Sequence, residues 1–180
     1  MANVLSGLVW KVDTVGIVSE TPITIRKAVL LPNAASDAAL FHYWNPAPPG
    51  TGDINSTAGA QTATVTSTAT IASTGNFEAT EVAVGDIINI TNSSTGNNTG
   101  PVVVITRTDD NTIVTSGGLT NEDNKIYSWD IYNGHLALHL PAGSSDTSPT
   151  TLDFGPGGLS LPNLALYTRS TSAVVHLYIG

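Results

Sequence analysis

Ile23-Thr24-Ile25-Arg26-Lys27-Ala28-Val29-Leu30-Leu31 reads with a period of two and stops at Pro32-Asn33. Ile23, Ile25, Lys27, Val29 and Leu31 fall on one side, with Thr24, Arg26, Ala28 and Leu30 on the other. That period sends alternate side chains to opposite faces of a strand. It returns where Leu136, Leu138 and Leu140 alternate with His135, Ala137 and His139. It returns again at the end of the chain, with Ala173, Val175, Leu177 and Ile179 on one face and Val174, His176 and Tyr178 on the other. Leu164, Leu166 and Thr168 make a further strand after Pro162-Asn163. Gly, Pro, Asn and Asp punctuate these runs at short intervals, the signature of a sandwich or barrel.

The best helical candidate is Asn33 to Phe41, Ala-rich, with Ser36 or Asp37 as a cap. The competing reading is a loop feeding the strand Ala39-Leu40-Phe41-His42-Tyr43-Trp44, which is rich in aromatic strand formers. The strand is favoured, and the fold class is all-β.

A shift in composition divides the chain. Asn45-Pro46-Ala47-Pro48-Pro49-Gly50-Thr51-Gly52 cannot continue a central strand and reads as a linker. Thr62 to Ile71 is low in complexity, yet its alternation and β-branched content predict one Thr-faced strand. Val84 to Ile90 reads as a turn and strand, Pro101 to Thr106 as a buried strand, Asp109-Asp110-Asn111 as a turn, and Thr112 to Thr115 as the returning strand. Ile126 to Trp129 closes the set. Short strands this dense suit a small barrel, which removes exposed edges by closure. The N-terminal part offers too few strands to cover a core. The expected layout is therefore a jelly-roll-like β-sandwich from residues 1–54 plus 132–180, with a small β-barrel, residues 55–131, inserted in it. Two sequential domains split near residue 54 are the competing layout.

The 180 residues carry 6 Lys+Arg against 14 Asp+Glu, a net charge of −8, and no Cys. Charged residues are 11%, far below the usual quarter or so, while 41% are hydrophobic. A disordered chain would be poorer in apolar residues. So few cations cannot neutralise a phosphate backbone, which argues against nucleic acid. Absent cysteine removes disulfide frameworks, thiol nucleophiles and thiolate metal sites. Nothing approaches the roughly 20 apolar residues of a helical membrane span. Met1 to Ser6 has no basic region and no signal-type apolar stretch follows, so folding in a reducing cytoplasm is the expectation.

Candidate chemistry is sparse. His135 and His139 share one strand face with Ala137 between them, and His176 is the third imidazole that would complete a metal site. Solvated or interface histidines are the simpler reading, and at an interface they would make assembly pH-sensitive. Asn121 to Lys125 and Asp109-Asp110-Asn111 are oxygen-rich but lack the spacing of a calcium loop, and turns favour the same residues. Gly155-Pro156-Gly157-Gly158 lacks the Lys-Ser/Thr and the helix of a phosphate cradle and reads as a tight loop. No G-x-S-x-G elbow places a serine nucleophile. Trp10, Trp44 and Trp129 are expected in the core or at a domain junction, each wanting a partner for its indole N–H. No enzyme and no cofactor is expected. A neutral surface lowers the desolvation cost of burying a broad contact, which fits an assembly module.

Phe154 to Leu164, a glycine loop followed by Leu-x-Leu-x-x-Leu, and the closing strand Ala173 to Gly180 resemble the final half of small β-sandwich head proteins of tailed bacteriophages. Thr24 to Pro32, followed by the turn Ala34-Ala35-Ser36-Asp37, is similar to the opening strand of the same kind of protein. Gly75-Asn76-Phe77, Val84 to Ile88 and Thr106 to Ile113 resemble small barrels of phage structural proteins. The resemblance implies a capsid decoration, or cement, protein. Such a protein is typically a homotrimer on the virion exterior, bound to the major capsid protein and assembled in the host cytoplasm. Val174, His176 and Tyr178, on the solvent face of the last strand, are the expected subunit contact. A tail, neck or fibre location and a host-glycan-binding module are the alternatives.

Overall fold

A computed structural model describes residues 4–45, 54–143, 147–170 and 172–180. Among them the chain opens with β1 (Val4–Ser6), β2 (Val9–Val12), β3 (Gly16–Ser19), β4 (Ile23–Leu31) and β5 (Ala38–Tyr43). The middle holds β6 (Ile54–Thr66), β7 (Thr70–Ala72), β8 (Ile87–Ser93), β9 (Gly100–Asp109), β10 (Thr112–Thr115) and β11 (Glu122–Tyr132). The return holds β12 (His135–Pro141), β13 (Thr150–Asp153), β14 (Leu159–Leu161), β15 (Leu164–Arg169) and β16 (Val174–Ile179). The fold is all-β. Residues 46–52 of the expected linker lie outside the described residues.

The first and last thirds interleave. One sheet runs β1-β2-β16-β4-β13, with β14 also paired to β4, and the other runs β12-β5-β15-β3. β16 lies antiparallel between β2 and β4, so the final strand completes a sheet begun by the N-terminal ones. In the same way β15 lies between β3 and β5. Each of the two sheets draws strands from both segments, and that excludes the sequential layout. The two sheets bury one shared core that includes Ile25, Leu30, Val175 and Leu177 from the first and Phe41, Leu140, Leu164 and Leu166 from the second. By contact the chain divides into two compact units, Met1–Tyr43 with Leu136–Gly180, and Trp44–His135.

The opening strand departs from the simple alternation read in it. Tyr178 faces Lys27 while the next residue, Ile179, faces Ile25, which leaves Arg26 as an extra residue in a β-bulge. Burial therefore passes from Ile23 and Ile25 to Ala28 and Leu30, which are fully buried. The bulge keeps Lys27 out of the core, where an unpaired ammonium would be costly. Leu136, expected to share a buried face with Leu138 and Leu140, lies near the start of the edge strand β12 and is 58% exposed, whereas those two are buried.

The inserted unit is a closed antiparallel barrel in the order β10-β7-β6-β11-β8-β9. The stretch Thr62 to Ile71 is a hairpin and not one strand. Ser67 and Thr68 hold φ of 53° and 57°, left-handed values that turn the chain between β6 and β7. Residues other than Gly and Asn rarely adopt them. Here the turn is tied down by Leu119 N–H donating to the Thr68 carbonyl (3.0 Å) and Thr68 N–H donating to Asn121 Oδ1 (2.7 Å). Inside, Trp129 of β11 stacks on Phe77 with ring centroids 5.5 Å apart, among Val65, Ile71, Val104 and Ile113.

Phe41→Ala opens a cavity in the sandwich core and is expected to lower unfolding free energy by about 3–5 kcal/mol. Leu136→Ala, on an exposed side chain, is expected to stay within about 0.5 kcal/mol of wild type. Denaturant titration of both variants checks the pair.

Candidate functional site

The bulged strand β4 and its neighbours build the outer face of the larger sheet. Register aligns Val29 with His176 and Lys11, and Lys27 with Tyr178 and Val9, while Val174 pairs with Leu31. Val174 and His176 are half-buried by neighbours on this face, and Tyr178 is 37% exposed. The Lys27 ammonium lies 5.6 Å from the centre of the Tyr178 ring, a cation–π distance. Arg26, freed by the bulge, donates from Nη1 to the Pro156 carbonyl. Lys11 pairs with Asp13 at 2.8 Å, and that contact, with a hydrogen bond from Thr14, holds the Asp13 carboxyl below its ordinary value. The glycine loop has a structural task. A Cβ on Gly158, which has φ of +66°, would meet Thr24 Cγ2 at 2.6 Å and the Ile25 carbonyl oxygen at 3.1 Å. Only glycine lets the loop lie this close to β4 between β13 and β14.

The histidines do not converge. His135 and His139 sit on β12 of the smaller sheet and His176 on β16 of the larger one. Among the described residues no three of His, Cys, Asp and Glu lie grouped as metal ligands. His42, on β5, is packed against Tyr167 of the adjacent β15, ring centroids 4.8 Å apart.

Glu122 is the polar centre of the barrel and was read from the sequence only as part of an oxygen-rich turn. It opens β11 and is buried. Thr95 Oγ1 and Asn97 Nδ2 (2.8 Å) donate to its Oε1. The Tyr127 hydroxyl and Asn98 Nδ2 (3.0 Å) donate to its Oε2. Asn98, itself buried, also receives the Thr120 N–H at 2.7 Å and donates to the Thr120 carbonyl at 2.9 Å. The Thr95 hydroxyl first, and the Tyr127 phenol next, pull the Glu122 carboxyl down to about 2 against the opposing effect of burial. Burial, reinforced by the carboxylate it donates to, pushes the Tyr127 phenol up to about 12. The arrangement fastens the 94–99 connection to β11. It holds a charge that does not take up a proton near neutrality, so it is suited to structure and not to proton transfer.

Two other carboxylates serve turns. Asp37 Oδ2 accepts from Asn33 N–H (2.8 Å) and Ala34 N–H (2.9 Å), closing the Ala34-Ala35-Ser36-Asp37 turn. These backbone donors, Ala34 first, hold its carboxyl below the ordinary value. Asp86 accepts from Ala83 N–H (2.8 Å) and Gly134 N–H (3.0 Å), joining the start of β8 to the end of β11. Of the tryptophans, Trp10 packs against the sandwich core and Trp44 is buried. The Trp129 indole N–H is buried with no hydrogen-bond partner, contrary to the expectation that each indole finds one. On the barrel wall lies an open groove of about 510 Å³, where Gln61, Thr62, Asn76, Asn111 and Asn124 surround Ala72. Its described lining carries no charged side chain.

Compared with protein-family models, curated proteins and solved structures, the chain matches none.

The Glu122 contacts have a defined pH signature. Its folded value lies below the ordinary 4.5, so its stabilisation is complete above pH 4.5 and is lost as pH falls towards about 2. Glu122→Gln leaves donors unmatched and is expected to cost about 1–3 kcal/mol at pH 7. It is also expected to flatten this part of the acid limb. Thermal melts of both proteins from pH 7 to pH 2 check both points; an acid limb unchanged by the substitution contradicts the assignment.

Proposed function

We propose that this chain is a structural virion protein, a decoration or cement protein that binds the outside of a phage head and stabilises contacts between major capsid subunits. The observation that carries the reading is the outer face of the larger sheet. It is a rigid, interleaved surface in which Val174, His176 and Tyr178 stand beside Val29 and Leu31. Side chains held on a paired sheet lose little further freedom on docking, so contact area converts more fully into affinity. The sequence resemblance to phage head proteins supports the same reading, with a homotrimer as the expected assembly. Net negative charge suits an outward position, since packaged DNA would repel it. On this reading the protein has no bond-making centre, and its site is a contact surface.

Purified protein mixed with undecorated heads is expected to co-sediment with assembled shells and not with the free capsid subunit. Failure to co-sediment overturns the reading. Labelled particles seen by microscopy place the label on the shell, or redirect the proposal to tail, neck or fibre.

One observation favours a second reading, a host-glycan-binding module. The groove beside Gln61 and Asn111 offers neutral amides and hydroxyls, chemistry matched to an uncharged polyol. A glycan array probed with the intact protein is expected to give hits that Gln61→Ala weakens, and a blank array removes this reading.

A further inference from the structure

The charge of this chain is unevenly divided. The Trp44–His135 unit carries nine Asp/Glu and two Lys/Arg, a net −7, whereas the remainder carries five and four, a net −1. Three of the six cationic side chains, Lys11, Arg26 and Lys27, belong to the outer face of the larger sheet. Asp13 offsets one of them, and Asp153, opposite Lys27 on β13, lies close to a second. His176 and Val29 stand in the row that starts at Lys11, Tyr178 stands beside Lys27, and Val174 and Leu31 extend the face beyond them, a largely apolar strip with a basic rim. On the barrel, by contrast, Glu78, Asp109, Asp110 and Asp123 are exposed, with Arg107 paired to Asp110.

From this complementarity we infer that the outer face of the larger sheet docks a second copy of the same chain, through that copy's acidic barrel. The strip supplies apolar area to exclude water, and the rim sets orientation and rejects face-to-face pairing of like charges. The contact joins two different surfaces and is heterologous. Repeated, it closes into a ring when the rotation between copies permits, and otherwise extends. Its bulge is essential to it, because the extra residue at Arg26 is what brings Arg26 and Lys27 out together. The inference takes the outer face that carries the virion reading as the contact between copies of the expected homo-oligomer, and its test does not need the head.

Mass measurement by light scattering over a concentration series tests it. The wild-type chain is expected to be oligomeric, with association weakened at least tenfold between about 0.05 and 0.5 M salt, as screening of an exposed charged contact requires. Lys11→Glu with Lys27→Glu is expected to give a monomer whose thermal unfolding stays cooperative. Glu78→Lys with Asp123→Lys is expected to do the same from the other side, and a chain carrying all four reversals to associate again. A monomeric wild type overturns the inference, as does an oligomer whose mass the Lys reversals leave unchanged or a four-fold reversed chain that stays monomeric. Co-sedimentation with heads is read separately. Monomers that decorate heads defeat this inference alone, and oligomers that ignore heads defeat the virion reading alone.

Discussion

The pairing of β16 with β2 on one side and β4 on the other is the constraint on which the sandwich depends. It places Val175 and Leu177, both fully buried, between two strands, β2 and β4, that were made more than 140 residues earlier. Loop-closure entropy rises only slowly with chain length, so a compact insert costs little more than a long loop would. Remove that pairing and Ile25, Ala28 and Leu30 lose the neighbour that completes their cover. The same strand presents Val174, His176 and Tyr178 outward, so one element supplies both the core and the exposed face.

Much of the buried polar chemistry of this chain is turned inward. Glu122, Asp37 and Asp86 each spend their oxygens on donors from the protein itself. A buried carboxylate satisfied in this way fixes a loop, since every donor withdrawn from it would be left without a partner. The barrel carries most of the chain's negative charge and still holds an apolar core built around Trp129 and Phe77.

The all-β class, the inserted barrel, most barrel strands and half of the sandwich strands were legible from period-two runs and turn residues alone. β4, β5, β12, β15 and β16 each fall on a stretch whose alternation or aromatic content marks a strand. The short strands β1, β2, β3, β13 and β14 were not read, and other features were hidden as well. Ser67 and Thr68 carry no turn signature of their own, and their left-handed backbone is held by Leu119 and Asn121 from a distant loop. The bulge at Arg26 was hidden because Lys27 and Val29 continue an alternation that the chain does not follow. A charged residue in the apolar register was the available signal. Glu122 stood among turn-forming polar residues, and nothing local distinguishes a solvated glutamate from one gathered up by Thr95, Asn98 and Tyr127.

By itself, the sequence marked the more strongly patterned strands and favoured combining the outer segments, because alternation and strand count are local properties. Only the tertiary structure decided which face of β4 is buried, which carboxylate becomes the anchor of the barrel, and which cations share a surface. Those outcomes depend on cross-strand register, and a shift of one residue exchanges the two faces of a strand.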